Sequence, residues 1–174
     1  VRGHETALFS LCIIEALDLV VSASRDRILL HSLLSGDYIR QVEIPSPFSR
    51  AFLNGTPLMQ ACRETGQMVA YSSEGHTLVS FDLNGRFIAG IGTRSLGVIR
   101  TLLVTADGRY CITTGERVAI WRAHDLVCIE QLDLGGLVTC AQLSPDESLL
   151  FLVLVSTATR GGKTVSTPSL VICP

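Results

Sequence analysis

The sequence predicts an all-β fold made of repeated short antiparallel sheets, and three observations carry that expectation. Helical periodicity is poor almost throughout, while runs rich in Val, Ile, Leu, Thr and aromatic residues alternate with Gly, Asn, Asp and Ser turns. Equivalent third strands, Leu29-Leu30-His31, Ser80-Phe81-Asp82, Ile120-Trp121-Arg122 and Leu170-Val171-Ile172, recur at intervals of roughly 40 to 50 residues, a supersecondary repeat. Glycine-bearing turns separate the runs where a hairpin requires positive φ.

The first unit, residues 4–44, reads as strands at Leu8–Ile14, Val20–Ser22, Ile28–Leu30 and Tyr38–Val42, the last two joined at Ser35-Gly36-Asp37. In the second, residues 57–92, strands at Leu58–Cys62, Met68–Tyr71, Leu78–Phe81 and Phe87–Ile91 include a hairpin at Asn84-Gly85, a strong short-range turn signal. The third, residues 98–133, has Ile99–Val104, the turn Asp107-Gly108, then Tyr110–Thr114, Val118–Trp121 and Leu126–Ile129; Trp121 carries enough apolar area to fill the space between neighbouring sheets. The fourth, residues 137–174, opens with Leu137–Leu143, turns at Ser144-Pro145-Asp146, and continues through Leu149–Val155, which reads as a strand buried on both faces. Ser156–Thr167 is expected to be a mobile hairpin tip, leaving Ser169–Cys173 for a third strand. Pro45–Arg50 reads as a loop between units, since proline lacks the ladder donor.

Short sheets of this kind bury their faces by stacking on one another, which makes each unit a blade of a β-propeller. Four units with both ends open do not close a ring, so the expectation is a partial propeller of about seven blades with the missing ones upstream. Val1-Arg2-Gly3-His4 has neither an initiator Met nor a signal-peptide pattern, in keeping with a cut inside a longer protein.

Composition narrows the function classes. The 174 residues carry a formal net charge of -2 and are 47% hydrophobic, enough for a core and wrong for a nucleic-acid footprint. The apolar run Leu149–Val155 is far short of the ~20 residues of a membrane-spanning helix. The six cysteines form no Cys-x-x-Cys pair and no zinc spacing; Cys12, Cys111 and Cys140 sit in apolar runs as small hydrophobes, suiting a reducing cytoplasmic compartment.

Chemistry-bearing constellations are sparse. Gly90-Ile91-Gly92-Thr93-Arg94-Ser95 starts like a dinucleotide loop but lacks the third glycine and a following helix. No two of the histidines stand at metal-ligand spacing, with His4 structural and His31 and His124 read as surface residues. No Gly-x-Ser-x-Gly elbow occurs, and Asp37, Asp107 and Asp146 occupy turn positions. No catalytic residue, metal or cofactor is therefore expected.

One polar set does stand out. His4 before the first strand, Ser22 and Ser24 on the second and Asp26 in the following turn are spaced to form one hydrogen-bonded network, and buried polar groups of this sort must satisfy one another. With this set, Leu19–His31 resembles a WD40 repeat. Ser73-Glu74-Gly75-His76, Phe81-Asp82-Leu83-Asn84-Gly85 and Ala106-Asp107-Gly108-Arg109-Tyr110 with Thr113-Thr114-Gly115 narrow the resemblance to the C-terminal propeller of BEACH-domain proteins, the neurobeachin and beige-like anchor group. The resemblance implies a large cytoplasmic scaffold with PH-like and BEACH domains upstream, acting in vesicle trafficking or membrane-protein sorting and peripheral on endomembranes. Only the first unit has the His and Asp set, and only the third has a Trp.

In such a strand order, the loops between second and third strands and those between units share one face, which collects Arg25, Arg27, Arg50, Arg94, Arg117 and Arg160 with Glu5, Glu74 and Glu116. Guanidinium forks there suit an acidic or phosphorylated segment of a partner protein. The expected function is a non-enzymatic interaction platform. Its competitors are a propeller hydrolase or glycan-binding enzyme, and a passive propeller supporting an upstream recognition domain.

Overall fold

A computed structural model describes residues 3–43, 57–160 and 163–174. It is all-β. The first sheet contains β1 (Leu8–Ile14), β2 (Leu19–Ser24), β3 (Ile28–Ser32) and β4 (Tyr38–Val42); the second β5 (Leu58–Ala61), β6 (Met68–Ser72), β7 (Thr77–Phe81) and β8 (Phe87–Gly92). The third holds β9 (Ile99–Val104), β10 (Tyr110–Gly115), β11 (Val118–Arg122) and β12 (Val127–Leu132), and the fourth β13 (Leu137–Leu143), β14 (Leu150–Arg160) and β15 (Lys163–Cys173). Every sheet is antiparallel with its strands in chain order, the consequence of hairpin-length connections.

The sheets stack as an open fan. Substantial contacts run from β1 to β5, β5 to β9 and β9 to β13, and none of that extent returns from β13 to β1 among the described residues. Three apolar layers fill the gaps. Cys12, Ile14, Val21, Ile28 and Leu30 meet Met59, Met68, Val79 and Phe81 between the first two sheets. Val69, Tyr71 and Leu78 meet Ile99, Leu102, Cys111 and Trp121 between the next two. Ile112 and Val118 meet Val138, Leu152 and Leu154 between the last two. Polar staples fix the stacking: Ser10 Oγ donates to Met59 O at 2.7 Å, Arg40 Nη2 to Leu83 O at 2.8 Å, Gln67 Nε2 to Ala123 O at 2.9 Å, and Ala106 N to Glu147 Oε1 at 2.8 Å.

The turn chemistry follows from the residues. Gly36 and Gly85 hold φ of 75° and 79°, and at Gly85 any Cβ would run into the Glu43 carbonyl of the first sheet. Asp107 Oδ1 accepts Thr105 Oγ1 at 2.6 Å and Arg109 N at 2.9 Å; Asp146 Oδ1 accepts Ser144 Oγ at 2.5 Å. These are turn-closing carboxylates.

Several expectations need correction. The strand after the Ser144–Asp146 turn is buried on one face only: Leu150, Leu152 and Leu154 are enclosed, whereas Val153 on the other side is 37% exposed, because no further sheet covers it among the described residues. The hairpin that follows is not a loose tip, since β14 and β15 stay paired out to Arg160 and Lys163. Thr and Val there favour an extended, paired backbone despite the neighbouring glycines. His31 is buried at 2% exposure rather than on the surface, on the face of β3 opposite Ile28 and Leu30, its ring edge-on to Tyr38 of the neighbouring strand at 5.8 Å between centroids. Cys140 is exposed, and Cys62 joins Cys12 and Cys111 among the buried thiols. Two short 3-10 turns, Glu15–Leu17 and Arg94–Leu96, had no periodic signal to announce them. The Pro45–Arg50 loop lies outside the described residues.

Candidate functional site

The strap Gly3–Thr6 runs across the turn between β2 and β3, and its side chains are bonded to that turn. His4 Nδ1 lies 2.5 Å from Ser24 Oγ and Nε2 lies 2.8 Å from Ser22 Oγ. Ser24 Oγ donates to Asp26 Oδ1 at 2.6 Å, which commits its only hydrogen. Proton counting then puts the imidazole hydrogen on Nδ1, donating to Ser24, and leaves Nε2 to accept from Ser22. Thr6 Oγ1 donates to Asp26 Oδ1 at 2.6 Å as well. Ser22 and Ser24 are fully buried, so this arrangement satisfies hydroxyls that would otherwise be stranded.

Electrostatics follow the geometry. Hydrogen bonds from Ser24 and Thr6 hold the Asp26 carboxyl well below the usual carboxylate range, with Arg27 assisting. Burial lowers the His4 pKa, partly offset by Asp26, so His4 is neutral near pH 7. Arg27 Nε bonds Asp26 Oδ2 at 2.5 Å, its Nη2 reaches Glu5 Oε1 at 2.9 Å and its Nη1 reaches Gly3 O at 3.2 Å. This arginine is spent on the strap.

The structure thus brings His4, Ser22, Ser24 and Asp26 together and leaves Trp121 apart. Trp121 lies in the third sheet at 3% exposure, where its Nε1 donates to Thr113 Oγ1 at 2.9 Å. Of the arginines assigned to the loop face, Arg25, Arg94 and Arg117 are exposed and make no ion pair among the described residues. Arg50 and the Arg160 side chain lie outside the described ones. Sequence reasoning missed Thr6, Glu5 as the counter-charge of Arg27, and Thr113. A hydroxyl two residues after His4, and another at the fourth place of a second strand, were the available signals.

On the opposite face, a cleft of about 400 Å³ opens between the inner strands, lined by Gln60, Arg63, Leu103, Gln142, Pro145 and Glu147. Burial pushes the Cys111 thiol up to about 12 and raises that of Cys12, which keeps both in the thiol form near neutral pH. No group of three or more His, Cys, Asp or Glu set to hold a metal occurs among the described residues. Among the same residues no helix is long and apolar enough to cross a membrane.

The fold and its surface define an all-β protein of antiparallel sheets in an open, propeller-like fan. No family model matches the chain. Over 152 residues, 85% of the chain, it is 24% identical to BEACH domain-containing protein B of Arabidopsis thaliana. The matched stretch spans 6% of that relative, so the chain is similar to a small part of a much larger BEACH protein.

Proposed function

We propose that the chain is a segment of a WD40-type propeller that serves as a non-enzymatic protein-interaction platform. It works within a BEACH-like cytoplasmic scaffold of vesicle trafficking or membrane-protein sorting, held at endomembranes by domains outside this segment. The observation that carries the reading is the stack of four hairpin-connected sheets, joined through their innermost strands and bracketed at the first by His4, Ser22, Ser24 and Asp26. The distant similarity to a BEACH domain-containing protein supports the scaffold setting. A rigid fan presents its loops at fixed spacing, and Arg25, Arg94 and Arg117 on those loops have charge to offer a partner's acidic or phosphorylated segment.

The test is quantitative capture of partners by the full-length protein with and without residues 1–174. A platform loses specific partners while the remainder keeps its fold and membrane association. A passive support loses stability and keeps its partners. Turnover of an ester or glycan panel by the intact protein, abolished by the same deletion, would instead make the propeller an enzyme.

A further inference from the structure

We propose that Arg94 and Arg117 form a two-pronged site for a phosphorylated Ser or Thr side chain of an extended partner peptide; this rests on the interaction-platform reading and specifies its ligand. The two residues sit on different segments that the backbone locks together. Arg94 begins the turn between β8 and β9, and Gly97 N donates back to Arg94 O at 3.3 Å. Arg117 lies in the turn between β10 and β11, whose Glu116 N donates to Val98 O at 3.1 Å. No Cβ fits at Gly115, because it would run into that same Val98 carbonyl, so the two segments touch main chain to main chain. The Glu116 side chain lies over Gly97. Two cationic residues are thereby carried on one backbone junction between the second and third sheets.

Both guanidinium groups are exposed and without an ion pair among the described residues, unlike Arg27, Arg109 and Arg122, each of which is tied to a carboxylate. Glu116 pairs with neither. Polar capacity is also unspent beside Arg94. The Thr93 hydroxyl is buried without a hydrogen-bond partner, as is Nδ1 of His76, and Thr93 N donates to His76 O at 2.6 Å. Native folds leave few buried polar atoms unpaired, which sets Thr93 and His76 apart among the described residues.

The chemistry favours a phosphoryl group over a carboxylate. One guanidinium fork saturates the two oxygens of a carboxylate, whereas a phosphoryl group carries three acceptor oxygens and close to two negative charges, enough for two forks. Arg25, on the first sheet, belongs to a different junction and is not part of the fork.

The experiment uses the full-length protein on an array of phosphoserine and phosphothreonine peptides, with matched unmodified and glutamate-bearing arrays. Phosphopeptides are expected to bind, with Glu peptides at least about tenfold weaker and unmodified ones silent. Arg94→Gln and Arg117→Gln should each weaken phosphopeptide binding about tenfold, since a charge-assisted bond is lost, while Arg86→Gln on the opposite face leaves it unchanged. Equal binding of Glu and phosphopeptides, indifference to both Arg variants, or capture of phosphoinositide vesicles without peptide binding would overturn the assignment. If partner capture depends on residues 1–174 yet ignores phosphatase treatment and both variants, the platform stands and the phosphate site falls. If capture survives deletion of residues 1–174, the platform itself falls.

Discussion

The first and third sheets solve one problem by different means. Each places a hydroxyl at the fourth position of its second strand, Ser22 on β2 and Thr113 on β10, where it is fully buried and needs a partner. In the first sheet the partner is His4, reaching in from the strap before β1, backed by Ser24 and Asp26. In the third it is the Trp121 indole on the neighbouring strand β11, which also fills the gap to the second sheet. The polar bracket ties a connecting segment to a turn; the indole ties strand to strand and sheet to sheet. One position, so treated, tolerates two chemistries, and sequence units lacking the His and Asp set keep the same architecture.

That contrast predicts unequal consequences. Trp121→Ala should have the largest effect, destabilising by about 3 to 5 kcal/mol through the cavity and the stranded Thr113 hydroxyl, read as a shift in the urea midpoint. Trp121→Phe keeps most of the volume and loses only the donor, for which about 1 to 3 kcal/mol is expected. His4→Ala falls in the same range of about 1 to 3 kcal/mol, but its effect should be local: hydrogen exchange should speed up in residues 3–6 and 24–27 before the third sheet responds. A loss spread evenly over all four sheets would erase the distinction between the two solutions.

Acid sharpens it further. The folded pKa of His4 lies below its unfolded value, so its contribution is fully present above about pH 6.5 and declines as pH falls through the folded pKa. Asp26 follows at lower pH, its contribution starting to decline below the ordinary carboxylate pKa of about 3.9 and lost as pH falls through its far lower folded pKa. As pH falls below about 6.5 and through the folded His4 pKa, the first sheet should therefore loosen at its β2–β3 turn while the β10–β11 pairing holds steady. The smallest effect is on the alkaline side. Cys111, pushed up to about 12 by burial, favours the fold until the unfolded thiol ionises above about pH 9, so the third sheet weakens from there.

Much of this was legible in the chain. Short β-rich runs and the turns at Gly36, Gly85 and Gly108 located the strands, because glycine at positive φ is a local requirement. His4, Ser22, Ser24 and Asp26 were readable as a set because buried polar groups come with partners. What resisted reading depended on register and on neighbouring sheets. The burial of His31 beside Tyr38 depends on a cross-strand neighbour, and the exposure of Cys140 and the one-sided burial of β14 depend on which face meets another sheet, properties no local run carries. Bulges at Ile39 on β4, opposite Leu30 and His31, and at Thr139 on β13 shift the register there. Glycines at 161 and 162 signal a loop in the sequence, yet the β-branched residues on either side favour a ladder, and the β14–β15 pairing runs out to Arg160 and Lys163.

The most direct test of the polar bracket is a double-mutant cycle on His4 and Asp26, read by the urea midpoint of His4→Ala, Asp26→Ala and the pair. A connected network predicts a coupling energy of about 1 kcal/mol or more, so that the second substitution costs much less once the first is made. Strictly additive losses would contradict it, showing that His4 and Asp26 hold the strap independently.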